Sequence, residues 1–206
     1  MREATDAPAL ILASTSPYRR RMLEAAGLAF AAVSPEVDEA VFKRNLASAR
    51  PPAGASDIAA ALARAKALAV SAHMPSALVI GADQVLALGS ELFDKPGNLA
   101  SGRQQLQRLR AKPHELHTAV ALAEAGNIVW SHIGVATLHM REFSDAYLDA
   151  YLAGAGPAIF GTVGGYEVEG RGIQLFERID GDHFTIIGLP LLPLLAELRK
   201  RGIIAT

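Results

Sequence analysis

The sequence predicts an α/β protein built on a mixed, mostly parallel, elongated sheet flanked by helices. Short apolar runs that are typical of buried parallel strands alternate with segments of helical periodicity. The dipeptide Gly126-Asn127 lies between two strand-like runs and indicates a hairpin that interrupts this alternation. Because neither an internal repeat nor an interdomain linker is visible, we expect one domain over residues 9–206, preceded by a flexible tail of residues 1–8.

Each element follows from a local signal. Apolar runs predict strands, hydroxyl or proline residues before a helical period predict helix starts, and glycines predict helix ends. In the N-terminal half these signals predict a strand at 9–13, a helix from the cap Ser16 to Gly27, a strand at 30–33, a flexible loop at 47–56, a helix at 57–72 capped by Ser56, and strand-like runs at 77–83 and 84–88. In the C-terminal half they predict a helix at 101–110, hairpin strands at 117–125 and 128–140, a helix at 144–152, a glycine-rich connection at 154–172, paired strands at 174–179 and 184–187, and a helix at 190–202.

Composition argues against several classes of function. The formal net charge is −1, which argues against a general binder of nucleic acid or of a membrane surface. The absence of cysteine excludes disulfides, thiolate metal sites and cysteine nucleophiles. No apolar run approaches the roughly 20 residues that span a bilayer, and the N-terminus does not resemble a signal peptide. We therefore expect a cytoplasmic protein.

The stretch from Leu10 to Gly27 is the first candidate binding site. Its small hydroxyl residues precede a helix N-terminus, where unpaired backbone N–H groups and the positive end of the helix dipole favour an anion. The positive end of the dipole disfavours cations, yet three arginines lie there, Arg19, Arg20 and Arg21. This indicates that a negatively charged ligand is bound there. The alternative is an ordinary strand–helix unit with a solvated basic first turn.

Two acids and three cations complete the candidate site. Asp83 is predicted at the carboxyl end of a strand, where ligands gather in open α/β sheets, so it is a candidate metal ligand or general base. Glu39 ends an acidic turn, which could alternatively be a surface turn that caps the next helix. Together with Arg19, Lys66 and Lys95, these carboxylates suit a polyphosphate bound with a divalent cation. Neither a P-loop nor a dinucleotide fingerprint is present.

A series of motifs over about residues 9–202 resembles the Maf family of nucleotide pyrophosphatases and follows the family's order. The motifs are Ala13-Ser-Thr-Ser-Pro-Tyr-Arg-Arg, Pro35-Glu-Val-Asp-Glu39, Ala63-Arg-Ala-Lys-Ala67, Gly81-Ala-Asp-Gln84, Asp94-Lys-Pro96, His117-Thr-Ala-Val and Gly188-Leu-Pro-Leu191. The resemblance implies two lobes around a central cleft, a fold related to that of inosine triphosphatase, and a homodimer. It also implies hydrolysis of nucleoside triphosphates to the monophosphate and pyrophosphate with a divalent metal, usually magnesium, with manganese as the other candidate.

The resemblance also implies roles for individual residues. Asp83 would be the general base for the water that attacks the α-phosphorus. Glu39 would hold the metal together with Asp83. The residues that would hold the triphosphate are Ser14, Arg19, Lys66 and Lys95.

Tyr18, Gln84 and Glu169 resemble the branch of the family that prefers 7-methyl-GTP to dTTP or UTP. A methylated guanine carries positive charge on its ring, so stacking on Tyr18 and a Glu169 carboxylate at the donor edge of the base would favour it. Alternatively Tyr18 only packs and Glu169 is only solvated, or the substrate is dTTP or UTP, or the chain is a non-catalytic nucleotide-binding regulator of cell division. Thr162 stands where many dTTP/UTP members have a lysine, which weighs against that branch.

Overall fold

The computed structural model describes residues 9–47 and 53–205. Within them, seven strands form one sheet and seven α-helices pack around it. Among these helices, none combines the length and the apolar character that crossing a bilayer requires. The tail predicted at residues 1–8 and residues 48–52 of the loop predicted at 47–56 lie outside the described residues.

The order of helices and strands follows the predicted order, except that α2 and β4 were not among the predicted elements and that a helix, α6, replaces the last predicted strand. The strands are β1 (Ala9–Ala13), β2 (Ala31–Val33), β3 (Ala77–Leu88), β4 (Glu91–Phe93), β5 (Pro113–Glu124), β6 (Asn127–Met140) and β7 (Phe176–Asp180). The helices are α1 (Pro17–Ala25), α2 (Glu39–Ala47), α3 (Ala55–Ser71), α4 (Leu99–Leu109), α5 (Asp145–Ala155), α6 (His183–Ile187) and α7 (Leu191–Lys200). Two short 3₁₀ helices, Pro157–Gly161 and Arg171–Leu175, lie in and just after the glycine-rich connection.

The sheet is mixed, as the sequence predicts. Its strand order is β2-β1-β3-β5-β6-β7, and β4 pairs with β3. β1 pairs in parallel with β2 and β3, and the other four pairings are antiparallel. A larger fraction of the strand pairings is antiparallel than the alternation of strands and helices predicts. The reason is that β3, β5 and β6 are long strands, of 12, 12 and 14 residues, that pair antiparallel over most of their length.

The hydrophobic core on one face of the sheet is divided at Gln84. Ile80 on β3 packs in a cluster with α1 and α7, while Leu86 packs in a second cluster with α4 and α5. Gln84 lies between them on the same face, because side chains of alternate strand residues point to the same side. α3 covers the opposite face. This division agrees with the two lobes that the resemblance implies.

The edge of the sheet has a gap at the middle of β3. β1 pairs with β3 as far as Gly81 and β4 pairs with it from Leu86, so residues 82–85 have no strand partner on that edge within the described chain. Asp83 therefore does not end a strand as predicted, because pairing with β5 continues β3 to Leu88. The gap nevertheless places Asp83 just beyond the end of β1, at the carboxyl edge of the parallel strands, where ligands gather.

Residues 184–187 form part of helix α6, and the strand predicted there is wrong. Asp182 caps this helix by accepting hydrogen bonds from the backbone N and the Oγ1 of Thr185, at 2.8 and 2.9 Å. Gly188 ends it in the left-handed region, with φ at 118°. A short apolar run does not distinguish a strand from a buried helical turn by its periodicity, and here the flanking cap residues decide.

Two further boundaries differ slightly from the predictions. The hairpin turn is Ala125-Gly126, one residue earlier than predicted, and both residues have the positive φ, 46° and 75°, that a type I′ turn requires. α3 begins at Ala55 and its cap is Gly54 rather than Ser56. Neither difference moves a candidate site residue to another element.

α3 approaches β3 most closely at Gly81. A Cβ atom at this position would lie 2.2 Å from the carbonyl oxygen of Ala63 and 2.6 Å from the backbone nitrogen of Ala67. Because these are backbone atoms of a helix, they cannot rotate away. We predict that Gly81→Ala lowers the free energy of unfolding by about 3 kcal/mol, measured by urea denaturation.

A matched control for this prediction is Gly161→Ala. It adds the same methyl group where no atom lies within 4 Å, and it should change the free energy of unfolding by less than about 0.5 kcal/mol. Equal stability of the two variants would contradict the close packing of α3 on β3.

Candidate active site

A cavity of about 490 Å³ opens at the gap in the sheet. It is surrounded by α1, α2, the end of α6, the segment after β4 and residues 161–169 of the glycine-rich connection. The candidate site residues that line it are Tyr18, Arg19, Glu39, Lys66, Asp83, Gln84, Lys95 and Glu169. The remaining candidate, Ser14, is not among the lining residues but accepts a hydrogen bond from Arg19. The structure thus brings the candidates together, while the role of each one stays a prediction.

The centre of the site is an ammonium group between two carboxylates. The Lys66 Nζ lies 2.7 Å from Asp83 Oδ1 and 2.7 Å from Glu39 Oε1. The side chains of Lys66 and Asp83 are each 7% exposed, whereas that of Glu39 is 47% exposed. Lys66 reaches this position because α3 packs on the face of β3 that carries Asp83. An ammonium group has three N–H donors, so one remains for a ligand.

Glu39 is held in its charged form by the surrounding cations. Burial raises the pKa of Glu39, but the hydrogen bond and charge of Lys66, with the charges of Lys95 and Lys43, outweigh it and hold the pKa below its ordinary value. Glu39 is also the first residue of α2, where the helix dipole favours a carboxylate. The acidic turn that the sequence indicates is therefore the start of a helix that delivers a carboxylate to the cavity.

Arg19 is a buried cation in the first turn of α1. The helix starts at Pro17 after the cap Ser16, as predicted. The Arg19 Nε donates to the carbonyl oxygen of Gly188 at 2.8 Å, and its Nη1 donates to Ser14 Oγ at 3.3 Å. Burial lowers the pKa of Arg19, and the nearby carboxylates oppose that shift. Ser14 therefore helps to orient the guanidinium group of Arg19, and its own contact with a ligand stays a prediction.

The other two arginines of α1 do not line the cavity. Arg20 is exposed and its Nε donates to Glu24 Oε1 at 2.8 Å. The guanidinium carbon of exposed Arg21 lies 5.0 Å from the centre of the Tyr18 ring. Of the three arginines from which the sequence predicts an anion site, only Arg19 lines the cavity.

The sequence reasoning missed two cations at the rim of the cavity. Lys43 and Arg44 on α2 both line it. The Lys43 Nζ lies 2.5 Å from Asp94 Oδ1, beside Lys95, so this ion pair links α2 to the segment after β4. A signal was available, since Lys43 follows Glu39 by four residues and therefore lies on the same face of a helix.

A second group of polar side chains lines the wall between α1 and the glycine-rich connection. The Tyr18 hydroxyl donates a hydrogen bond to Glu167 Oε1. Burial, together with this hydrogen bond and the charge of Glu167, raises the pKa of Tyr18 to about 12. Glu169 is more exposed, and its Oε1 lies 3.6 Å from His183 Nε2. Glu167 was missed, although it precedes Glu169 by two residues in a segment already singled out for its glycines.

Gln84 is anchored to β5 and to the end of α6. Its Nε2 lies 2.9 Å from Thr118 Oγ1 and 3.0 and 3.1 Å from the carbonyl oxygens of Thr185 and Ile186. The helix that replaces the predicted strand supplies two of these acceptors. Because Nε2 already makes these contacts, Oε1 is the atom of Gln84 that is left to contact a ligand.

The carboxylates fit a divalent cation that arrives with a polyphosphate. Glu39 and Asp83 offer hard oxygen donors, the type that Mg²⁺ and Mn²⁺ accept. Among the residues that the structure describes, no group of three or more histidine, cysteine, aspartate or glutamate side chains is arranged to hold a metal. Mg²⁺ is commonly bound through one or two carboxylates, with waters and substrate phosphates in the remaining positions, and that pattern suits this pair.

Comparisons with known proteins find relatives along almost the whole chain. A family model described as Maf-like protein matches residues 9–201. A nucleoside triphosphate pyrophosphatase from Bradyrhizobium diazoefficiens is 52% identical over 95% of this chain and 95% of the relative. 7-Methyl-GTP pyrophosphatases from Brucella abortus and Rhizobium meliloti are 47% and 46% identical, over 93% and 96% of this chain and 95% and 98% of the relatives.

The contacts of Lys66 predict a large effect of its removal. Lys66→Met keeps the length of the side chain but leaves the buried carboxylate of Asp83 unpaired beside Glu39. We predict that the free energy of unfolding falls by about 3 kcal/mol, measured by urea denaturation. Adding Asp83→Asn to this variant removes the unpaired charge and should restore part of the loss. A further loss in the double variant, or wild-type stability in the single one, would exclude this role of Lys66.

Proposed function

Because the chain belongs to the Maf family, we propose that it is a nucleoside triphosphate pyrophosphatase, which forms the nucleoside monophosphate and pyrophosphate. The observation that carries the proposal is the cluster of Lys66, Glu39 and Asp83 in a cavity that also holds Arg19. Paired carboxylates beside separate cations suit a polyphosphate with its metal ion, and an uncharged substrate would leave these charges unused. The names of the relatives support the same reaction class.

The triphosphate is held by cations from three elements. Arg19 on α1 offers a guanidinium group that is already oriented by Gly188 and Ser14. Lys66 on α3 offers its third N–H donor, and Lys95 adds a charge from the segment after β4. Because Arg19 and Lys66 are fixed by their contacts on separate helices, these two cations are positioned for the phosphates before a ligand binds.

In the proposed reaction, a water molecule attacks the α-phosphorus. The water oxygen bonds to phosphorus, the bond from phosphorus to the oxygen that bridges to the β-phosphate breaks, and pyrophosphate leaves with that oxygen. Asp83 accepts the proton of the water. Its Oδ1 is held by Lys66, while its Oδ2 accepts no hydrogen bond from any residue in the described ranges and is available for this proton. Arg19 and Lys66 stabilise the charge on the phosphoryl oxygens.

A divalent cation, when bound, neutralises the phosphate oxygens and polarises the phosphoryl group. The residues that would hold it are Glu39 and Asp83. Lys66 keeps these two carboxylates together, since its ammonium group contacts both. Without that bridge, the negative charges of these two neighbouring carboxylates would repel each other.

The substrate base is proposed to be 7-methylguanine, stacked on Tyr18. A ring that carries positive charge is attracted to the electron-rich face of an aromatic side chain. Glu169 supports the proposal because it lines the same wall, and Glu167 is a second carboxylate for the N1 and N2 donors of the base. Two of the relatives are named for this substrate.

We predict that Asp83→Asn lowers the rate of pyrophosphate release at saturating magnesium and substrate by a factor of about 10² or more, because an amide cannot accept the proton of the water. The control is Asp149→Asn, which removes an exposed carboxylate paired with Arg103 and outside the cavity. Chelation of the metal should abolish release by the wild type. Full activity of Asp83→Asn would refute the assigned mechanism.

A panel of 7-methyl-GTP, GTP, dTTP, UTP, CTP and ATP tests the base. We predict the highest kcat/KM for 7-methyl-GTP, and a fall of about threefold or more in its ratio to GTP in Tyr18→Leu. Glu167→Gln and Glu169→Gln are compared in the same way, and the variant in which the ratio falls more identifies the carboxylate that contacts the base. If kcat/KM is highest for dTTP or UTP, the proposed reaction stands but the assignment of the base is wrong. If nucleotides bind without turnover, the result favours a regulatory protein.

A further inference from the structure

The Tyr18 side chain lies between two cavities. It lines the central cavity and also a neighbouring depression of about 510 Å³ formed by α1, α6 and α7. The second depression is lined mainly by apolar side chains. Arg21 also lines it, but Arg21 does not line the central cavity. Tyr18 and Arg21 are three residues apart on α1, so their side chains are neighbours on the helix surface.

Arg21 contacts the Tyr18 ring as a cation on an aromatic face. Its guanidinium carbon lies 5.0 Å from the ring centre, inside the range of about 6 Å for a cation–π interaction. Because Arg21 belongs to the second depression, it covers the ring from that side. The side of the ring toward the central cavity is left for a ligand.

We infer that Arg21 determines specificity by acting through Tyr18, and that it lowers the preference of the enzyme for a positively charged base. The inference rests on the proposed function, in which the base stacks on Tyr18. A cation on one face of an aromatic ring repels a second cation on the other face, whereas a neutral guanine meets no such repulsion. Arg21 therefore weakens the binding of 7-methyl-GTP relative to GTP.

Glu167 acts on the same ring in the opposite sense. Its carboxylate accepts the hydrogen bond of the Tyr18 hydroxyl, and a negative charge at that position increases the attraction of the ring for a cation. Glu169 also lines both cavities beside Tyr18. The attraction of the Tyr18 ring for a charged base is thus set by a balance between two acids and Arg21.

The test compares the ratio of kcat/KM for 7-methyl-GTP to that for GTP in several variants. Arg21→Gln should raise this ratio about threefold, because the competing cation is removed. Arg21→Lys keeps a cation near the ring and should retain a ratio close to that of the wild type. The matched control is Arg20→Gln, which removes an adjacent exposed arginine that contacts Glu24 instead of Tyr18. Its ratio should remain that of the wild type.

The same substitution is then made in the Tyr18→Leu background. If Arg21 acts through the ring, Arg21→Gln no longer changes the ratio there. The inference is overturned if Arg21→Gln leaves the ratio unchanged in the wild-type background, or if the ratio rises equally without the ring, which would indicate a general effect of charge.

These outcomes are separate from failure of the proposed function. If Tyr18→Leu releases pyrophosphate with an unchanged ratio, the stacking of the base on Tyr18 is wrong, and the role of Arg21 fails with it. If the wild type releases no pyrophosphate from either nucleotide, the proposed reaction itself is rejected, and this inference with it.

Discussion

The ammonium group of Lys66 makes it possible to bury the carboxylate of Asp83 next to the half-exposed carboxylate of Glu39. A buried and unpaired carboxylate is strongly destabilising, and Asp83 is almost completely shielded from solvent. Lys66 contacts both Asp83 and Glu39, and the negative charge that remains in this cluster is balanced by the buried guanidinium of Arg19. The proposed base, the proposed metal ligands and two of the cations proposed to bind phosphate, Lys66 and Arg19, therefore form one electrostatic unit.

The architecture of the sheet gives this unit access to a ligand. The parallel pairing of β1 ends at Gly81 and the pairing of β4 begins at Leu86, so the edge of β3 is open between them. Asp83 and Gln84 lie in that gap and point to opposite faces of the sheet, one toward α3 and the other toward α6. Each is anchored by a helix on its own face. The cavity is therefore lined from both faces of the sheet, and Tyr18 adds a wall whose electrostatic character is set by its neighbours.

Much of the fold was predictable because its signals are local. β1, α1 and α5 appear where apolar runs and hydroxyl caps place them, and Ser16 and Ser144 both act as the predicted N-caps. The error at α6 arose because a strand and a helical turn of this length share the same apolar pattern, and the cap Asp182 lies outside that pattern. The strand-like run at 84–88 was predicted, but its joining with 77–83 into one strand was not, because pairing with β5 produces it.

The sequence by itself determined which residue types the site contains and the family to which the chain belongs, because the motifs are short and their order is preserved. The tertiary structure decided how those residues are connected. Lys66 and Asp83 are 17 residues apart and Tyr18 and Glu167 are 149 apart, yet each pair is joined by a hydrogen bond. Contacts across such separations follow from the packing of whole elements, which local periodicity does not encode. For the same reason the sequence identified three basic residues at the start of α1, and only the packing of the helix decided that Arg19 alone enters the cavity.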